Sequence, residues 1–163
     1  MAIHKLILDE EICDEFSLIA IHCSEEDYKI AFMINKFLSL HLKRKKNDLD
    51  FSIEGHDISF PIFEFENDFN YTKFYLVANK YKYQKEITNP KNGLFSNVVS
   101  EKTVTKHLLP EFKNVDYFLK IYSDFEKIPL RNIVSSINEI EHVISAYTID
   151  NEQIKSKSHL IFD

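Results

Sequence analysis

An α+β fold, with two helices packed on a largely antiparallel sheet in a split βαβ or ferredoxin-like arrangement, is what this sequence predicts. Three observations lead there. Two stretches, starting near Ser24 and at Pro129, space their apolar residues at helical intervals. Most other apolar residues fall in short runs rich in aromatic and β-branched side chains, the length and chemistry of strands. The segment from Val115 to Ile149 reads as strand, helix, strand, and Phe16 to Phe51 repeats that pattern in outline.

Taken in order, His4 to Asp9 is a short apolar run closed by the acidic cluster Asp9-Glu10-Glu11. Phe16 to Cys23 is apolar on both alternating faces, as a central strand must be. Ser24 with Asp27 forms a loose capping box for the first helix, and Ile30, Met33, Ile34, Phe37 and Leu38 give it a buried stripe. Tyr28, Ala31 and Phe32 widen that stripe, which predicts a helix covered on two sides. Ile58 to Glu66 and Lys73 to Tyr83 read as two strands joined by the loop Asn67 to Tyr71. Pro61, which lacks an N–H, moves the first of them to an edge or onto a bulge. Gln84 to Thr103 is the least regular stretch, centred on the turn residues Asn89 to Gly93. Val115 to Ser123 and Val143 to Ile149 are strands flanking the second helix, whose face is Leu130, Ile133, Val134, Ile137 and Ile140. A last short strand is expected at His159 to Phe162.

The length, 163 residues, predicts a single α+β domain spanning 1–163, and 44% apolar residues supply its core without a disulfide or a metal. The net charge of −6 gives no general pull toward nucleic acid or membranes. No basic segment followed by a long apolar run opens the chain, and no run is long enough to span a bilayer, so the expected compartment is the cytoplasm and no membrane contact is expected.

Several chemistries lose support at this level. With only Gly55 and Gly93, there is no phosphate-binding loop, dinucleotide fingerprint or nucleophile elbow, and no cofactor is expected. The histidines at 4, 22, 41, 56, 107, 142 and 159 have no metal-ligand spacing. His22 and Cys23 are adjacent in a strand and so point to opposite faces. The reading is of no catalytic residue. Lys43, Arg44, Lys45 and Lys46 form a basic run that could contact phosphates or an acidic partner, or else simply be solvated. Tyr75, Tyr81 and Tyr83 alternate with Lys80 and Lys82, a weak nucleic-acid signal that a half-buried strand would also show.

The nine residues Leu109-Pro110-Glu111-Phe112-Lys113-Asn114-Val115-Asp116-Tyr117 resemble the signature of the IPExxxVDY family of Bacteroidota, with leucine at the first position. Ile21 to Ser24, Asn35-Lys36, Leu49 to Phe51, Phe63 to Phe65 and Ala78 to Lys80 extend the resemblance along the chain. It implies no activity, ligand or catalytic residue. The stretch Tyr117 to Ile149 also resembles the β-α-β arm of ACT and AsnC-type regulatory domains, which implies a small-molecule ligand near Asp124 to Pro129. Physically, Pro110 stops a strand, and Glu111 to Asn114 turn before Val115 starts the next. Glu111 and Asp116 then either satisfy backbone N–H groups or point into a shared pocket as an acid–base pair. Pro110, Glu111, Val115, Asp116 and Tyr117 are therefore the candidate functional turn. The favoured function is protein interaction or self-association, ahead of a regulatory ligand-binding module and an RNA-binding accessory role.

Overall fold

A computed structural model describes residues 16–53, 55–88, 99–124 and 127–162. Helix α1 (Asp27–Leu38) follows strand β1 (Phe16–Cys23), and helix α2 (Leu130–Asn138) lies between β9 (Tyr117–Ser123) and β10 (Val143–Ile149). Between α1 and β9 run β2 (Lys43–Arg44), β3 (Leu49–Ile53), β4 (His56–Phe60), β5 (Ile62–Asn67), β6 (Thr72–Ala78), β7 (Lys80–Thr88) and β8 (Val99–His107). The protein is thus α+β, with both helices on a sheet whose pairings are all antiparallel. The apolar run His4 to Asp9 lies outside the described residues.

Six strands form the main sheet in the order β10-β1-β9-β6-β5-β2. Strand β1 is central: Ile19 pairs with Leu119 on one side and Thr148 on the other. Both faces of β1 are covered along its middle, and there Leu18 to Ile21 are apolar and all buried. The alternation of strand side chains sorts these residues into two cores. On one face Ile19, Ile21 and Cys23 meet Ile30, Ala31 and Ile34 of α1 and Ile137 of α2. On the other, Leu18, Ala20 and Phe118 meet Ile58 and Phe60 of β4 together with Ile154, Leu160 and Phe162. Two helices therefore cover one face, while the β3–β4 hairpin and the C-terminal segment cover the other.

The structure departs from the sequence reading at identifiable places. The α1 N-cap is Glu26, not Ser24, and it makes no side-chain capping bond. Tyr28 and Phe32 lie in water, 58% and 69% exposed, so α1 is covered on one side only. The stretch Ile58 to Glu66 is two strands in different sheets, divided at Pro61, and Lys73 to Tyr83 is likewise divided at Asn79. The first strand after α1 in the main sheet is the two-residue β2 at the far edge, and β6, two places from β1 and parallel to it, comes only later in the chain; β3 instead leaves the sheet to pair with β4 through a tight turn in which Gly55 takes φ +79°. Gln84 to Thr88 and Val99 to Thr103 belong to a two-stranded ribbon, β7–β8, whose connecting residues 89–98 lie outside the described residues. Val115 precedes β9 rather than starting it, and His159 lies in a one-turn 3-10 helix, Lys157–Leu160, where a strand was expected. A single part-buried histidine contact accompanies the last difference: His159 Nδ1 lies 2.7 Å from the Leu108 carbonyl, which anchors the segment by its side chain instead of a ladder.

Ile137 is fully buried between α2 and the sheet. Replacing it with alanine should destabilise the protein by about 2–5 kcal/mol, because the close-packed neighbours cannot collapse fully into the space. Urea denaturation checks this, with Ser136→Ala on the more exposed side expected to cost far less.

Candidate functional site

The signature segment folds as a corner held by one buried side chain. Asn79 occupies the break between β6 and β7 and is inaccessible to solvent. Its Nδ2 donates to the carbonyls of Phe112 and Val115, both at 2.9 Å, and its Oδ1 accepts from Leu109 N–H at 2.9 Å. Its own N–H donates to Asp116 O at 2.9 Å, and its carbonyl accepts from Leu108 N–H at 2.8 Å. A turn that enters the interior must satisfy its own peptide groups, and here one amide side chain does so for several of them at once. Pro110 opens the 3-10 turn Pro110–Phe112 at the position where its missing N–H costs nothing, while Leu108, Leu109 and Val115 fill the second core.

The two carboxylates of the corner face different partners. Glu111 Oε1 accepts from the N–H groups of Lys155 and Ser156 at 2.8 and 2.9 Å, and Oε2 accepts from Ser156 Oγ at 3.2 Å. Burial alone would raise the Glu111 carboxyl pKa, but these hydrogen bonds outweigh it and hold the group below its usual range. Asp116 Oδ2 accepts from Cys23 N–H at 3.0 Å, and Oδ1 receives Lys80 Nζ at 2.6 Å. Each carboxylate thus satisfies backbone donors, and those donors are far away in sequence. Tyr117 adds a third tie: its hydroxyl donates to Glu25 O at 2.6 Å, and burial, reinforced by Asp27, pushes its pKa up. The corner therefore fastens β1, β7 and the C-terminal segment to one another, and the arrangement serves positioning rather than proton exchange between Glu111 and Asp116.

The other sequence candidates are distributed around the molecule. Arg44 bridges Asp48 at 2.6 Å and Asp27 at 3.4 Å, and Lys45 reaches Glu64 at 3.3 Å. Half of the basic run is thus neutralised within the chain, leaving the exposed Lys43 and Lys46 to face solvent. Of the tyrosines in the alternating stretch, Tyr75 packs on Phe162, Tyr81 on Phe60 and Tyr83 on His56, so these rings serve packing. Cys23 is buried among the helices, which pushes its thiol pKa up. His22 turns the other way and stacks on Tyr147, with Nε2 3.1 Å from the phenol oxygen. At the start of α2, Leu130 N–H already donates to Ile128 O, which leaves one fewer donor for an anion. Beside it lies a cleft of about 200 Å³, lined by Leu38, Leu40, Phe74, Ile128 and Ile133.

The feature that sequence reasoning missed is on the outer side of α1. Tyr28 and Phe32, one helical turn apart, stand exposed above a groove of about 410 Å³ whose other walls are Met33, Lys29, Glu25 and His142. Glu25 ties that rim together, accepting Lys29 Nζ at 3.2 Å and standing 3.5 Å from His142 Nδ1. The excess of apolar residues over what one helix stripe needs was the available signal.

Asn79→Ala should unfold the corner, leaving Leu109 N–H without its acceptor and two carbonyls without their donor. At roughly 1–3 kcal/mol for each buried group left unpaired, the loss should exceed about 3 kcal/mol in urea denaturation. Glu111 sets an acid-side dependence. Its folded pKa is below the unfolded value of ~4.3, so its contribution is full above that value and is lost as pH falls through the folded one. Glu111→Gln should therefore show a shallower decline in urea midpoint between neutral and acid pH than the parent. No family model, no curated protein and no solved structure matches this chain.

Proposed function

We propose that this protein acts without chemistry of its own, by binding another polypeptide through the outer face of α1. The observation that carries this reading is the pair Tyr28 and Phe32, 58% and 69% exposed one turn apart on a helix whose opposite side is fully packed. Large aromatic rings gain most from leaving water, and tyrosine is enriched among residues that dominate protein interfaces. The groove beside them has an apolar wall in Met33 and a polar rim in Glu25, Lys29 and His142, the usual layout of an interface centre and its border.

The fold reading that accompanies this proposal is ferredoxin-like. It is supported by the strand order, in which β9 lies between β1 and β6 while β1 lies between β9 and β10. The resemblance of Leu109 to Tyr117 to the IPExxxVDY signature supports membership of that family, and the cytoplasm is the compartment consistent with it. Among the described residues no helix is long and apolar enough to cross a membrane. A regulatory small-molecule role draws on the cleft by Ile128 and Phe74, where Asn70 Oδ1 is buried without a hydrogen-bond partner among the described residues. At about 200 Å³ that cleft is smaller than the ~300–1,000 Å³ of ordinary ligand pockets, so the protein-binding reading is preferred.

The test compares the parent with Tyr28→Ser/Phe32→Ser. Both changes replace exposed rings, so the double variant should keep the parent's circular dichroism and urea midpoint. Co-purification from native cells, quantified side by side, should lose partner from the variant, and light scattering of each purified protein shows whether that partner is a second copy. Equal recovery of the same partners, with equal mass, would overturn the assignment of this face.

A further inference from the structure

Strand β10 is one outer edge of the main sheet, and among the described residues no strand pairs with its far side. An unpaired edge is a template for another strand, and proteins usually blunt it with charge or proline. The opposite edge follows that rule: it is the two-residue β2, Lys43–Arg44, continued by Lys45 and Lys46. Strand β10 does not, because its sequence Val-Ile-Ser-Ala-Tyr-Thr-Ile carries neither a charge nor a proline. Ile144 and Tyr147 on it are also exposed.

A different device covers this edge. Ala146, opposite Ile21 of β1, gives its peptide groups to the side chain of Asn138. Ala146 N–H donates to Asn138 Oδ1 at 2.8 Å, and Asn138 Nδ2 donates to Ala146 O at 2.9 Å. Asn138 is the last residue of α2, so the helix presents at the middle of β10 the same donor and acceptor that a neighbouring strand would offer. By the alternation of an antiparallel ladder, Thr148 turns its peptide groups outward as Ala146 does. At the other end the register with β1 skips from Ser145 to Val143, which bends the edge.

We infer that Asn138 is a lock on an association edge, and that the strand it keeps out is β10 of a second copy of this chain. A two-fold antiparallel pairing centred on Tyr147 sets Ala146 of each copy opposite Thr148 of the other, so that each pair exchanges both backbone bonds. The two Tyr147 rings become cross-strand neighbours. Within the paired strands no like charges meet, because β10 carries no charged residue. The register is thus self-complementary, as a two-fold interface requires.

Asn138→Ala removes the lock. Across a concentration series, its weight-average mass by light scattering should rise toward twice that of the parent. Adding Thr148→Pro should return it to the parent's mass, since proline at an outward-facing N–H spares the ladder with β1 but blocks a new strand. Retained native circular dichroism with unchanged mass in Asn138→Ala would overturn the inference, as would association that Thr148→Pro leaves intact. Hydrogen exchange on the parent provides a check that does not depend on the variant folding. The Ala146 amide should exchange slowly and the Thr148 amide quickly. Equal fast exchange at both would mean that the lock does not form, and slow exchange at both would mean that the edge is already covered; either result sinks the proposal.

Discussion

The corner that leads into the central strand β9 depends on the amide of Asn79. Strand β6 must end there, because the chain leaves the sheet to begin the β7–β8 ribbon, and an ending in the interior strands backbone donors and acceptors away from water. A carboxylate lacks the donors, a serine lacks the reach, and an apolar residue satisfies nothing. By taking Leu109, Phe112 and Val115 as partners, Asn79 also fixes where the segment before β9 lies, and with it the register that β9 offers to β1 and β6. Asp116 and Tyr117 then fasten the far end of β1 to the same corner. One side chain thereby sets the geometry on which the central strands meet.

Periodicity carried most of what was legible in the amino-acid order. Strands β1 and β10 were readable to the residue, and so was the apolar face of α2, because burial on both faces or on one stripe writes itself into spacing. The divisions at Pro61 and Asn79 were not readable, for opposite reasons. Pro61 was visible as a disturbance, but its missing N–H does not say whether a strand bends or changes sheet. Asn79 sits inside a run of good strand formers, and its role exists only through residues some thirty positions later. The exposed pair Tyr28 and Phe32 looked like core because apolar spacing does not record which side of a helix has a neighbour.

A repeated detail links the two halves. Ile34 and Ile137 are both fully buried on their helices, and each is followed by an asparagine that clamps the peptide of a residue beyond the helix. Asn35 bonds both the N–H and the carbonyl of Leu42, as Asn138 does those of Ala146. The shared Ile-Asn dipeptide is the sequence trace of this symmetry. It is two residues long, too short to stand out as a repeat, yet it sets the exit path of the chain from each helix. In the first half the clamp directs the chain toward β2, and in the second it lies over the sheet's outer edge. The same local solution thus shapes both margins of the sheet.

The central position of β1 has a consequence for how the protein is made. Ile19 cannot find Leu119 or Thr148 until those residues have left the ribosome, and the second core waits further for Ile154, Leu160 and Phe162. At synthesis rates of about 5–20 residues per second, the apolar run of β1 stays without its native neighbours for several seconds. Long-range antiparallel pairing of this kind also closes slowly once the chain is free. The nascent strand Phe16–Cys23, whose residues Leu18 to Ile21 are buried in the folded protein, therefore shows apolar surface throughout that interval, the kind of exposure that chaperones shelter during translation.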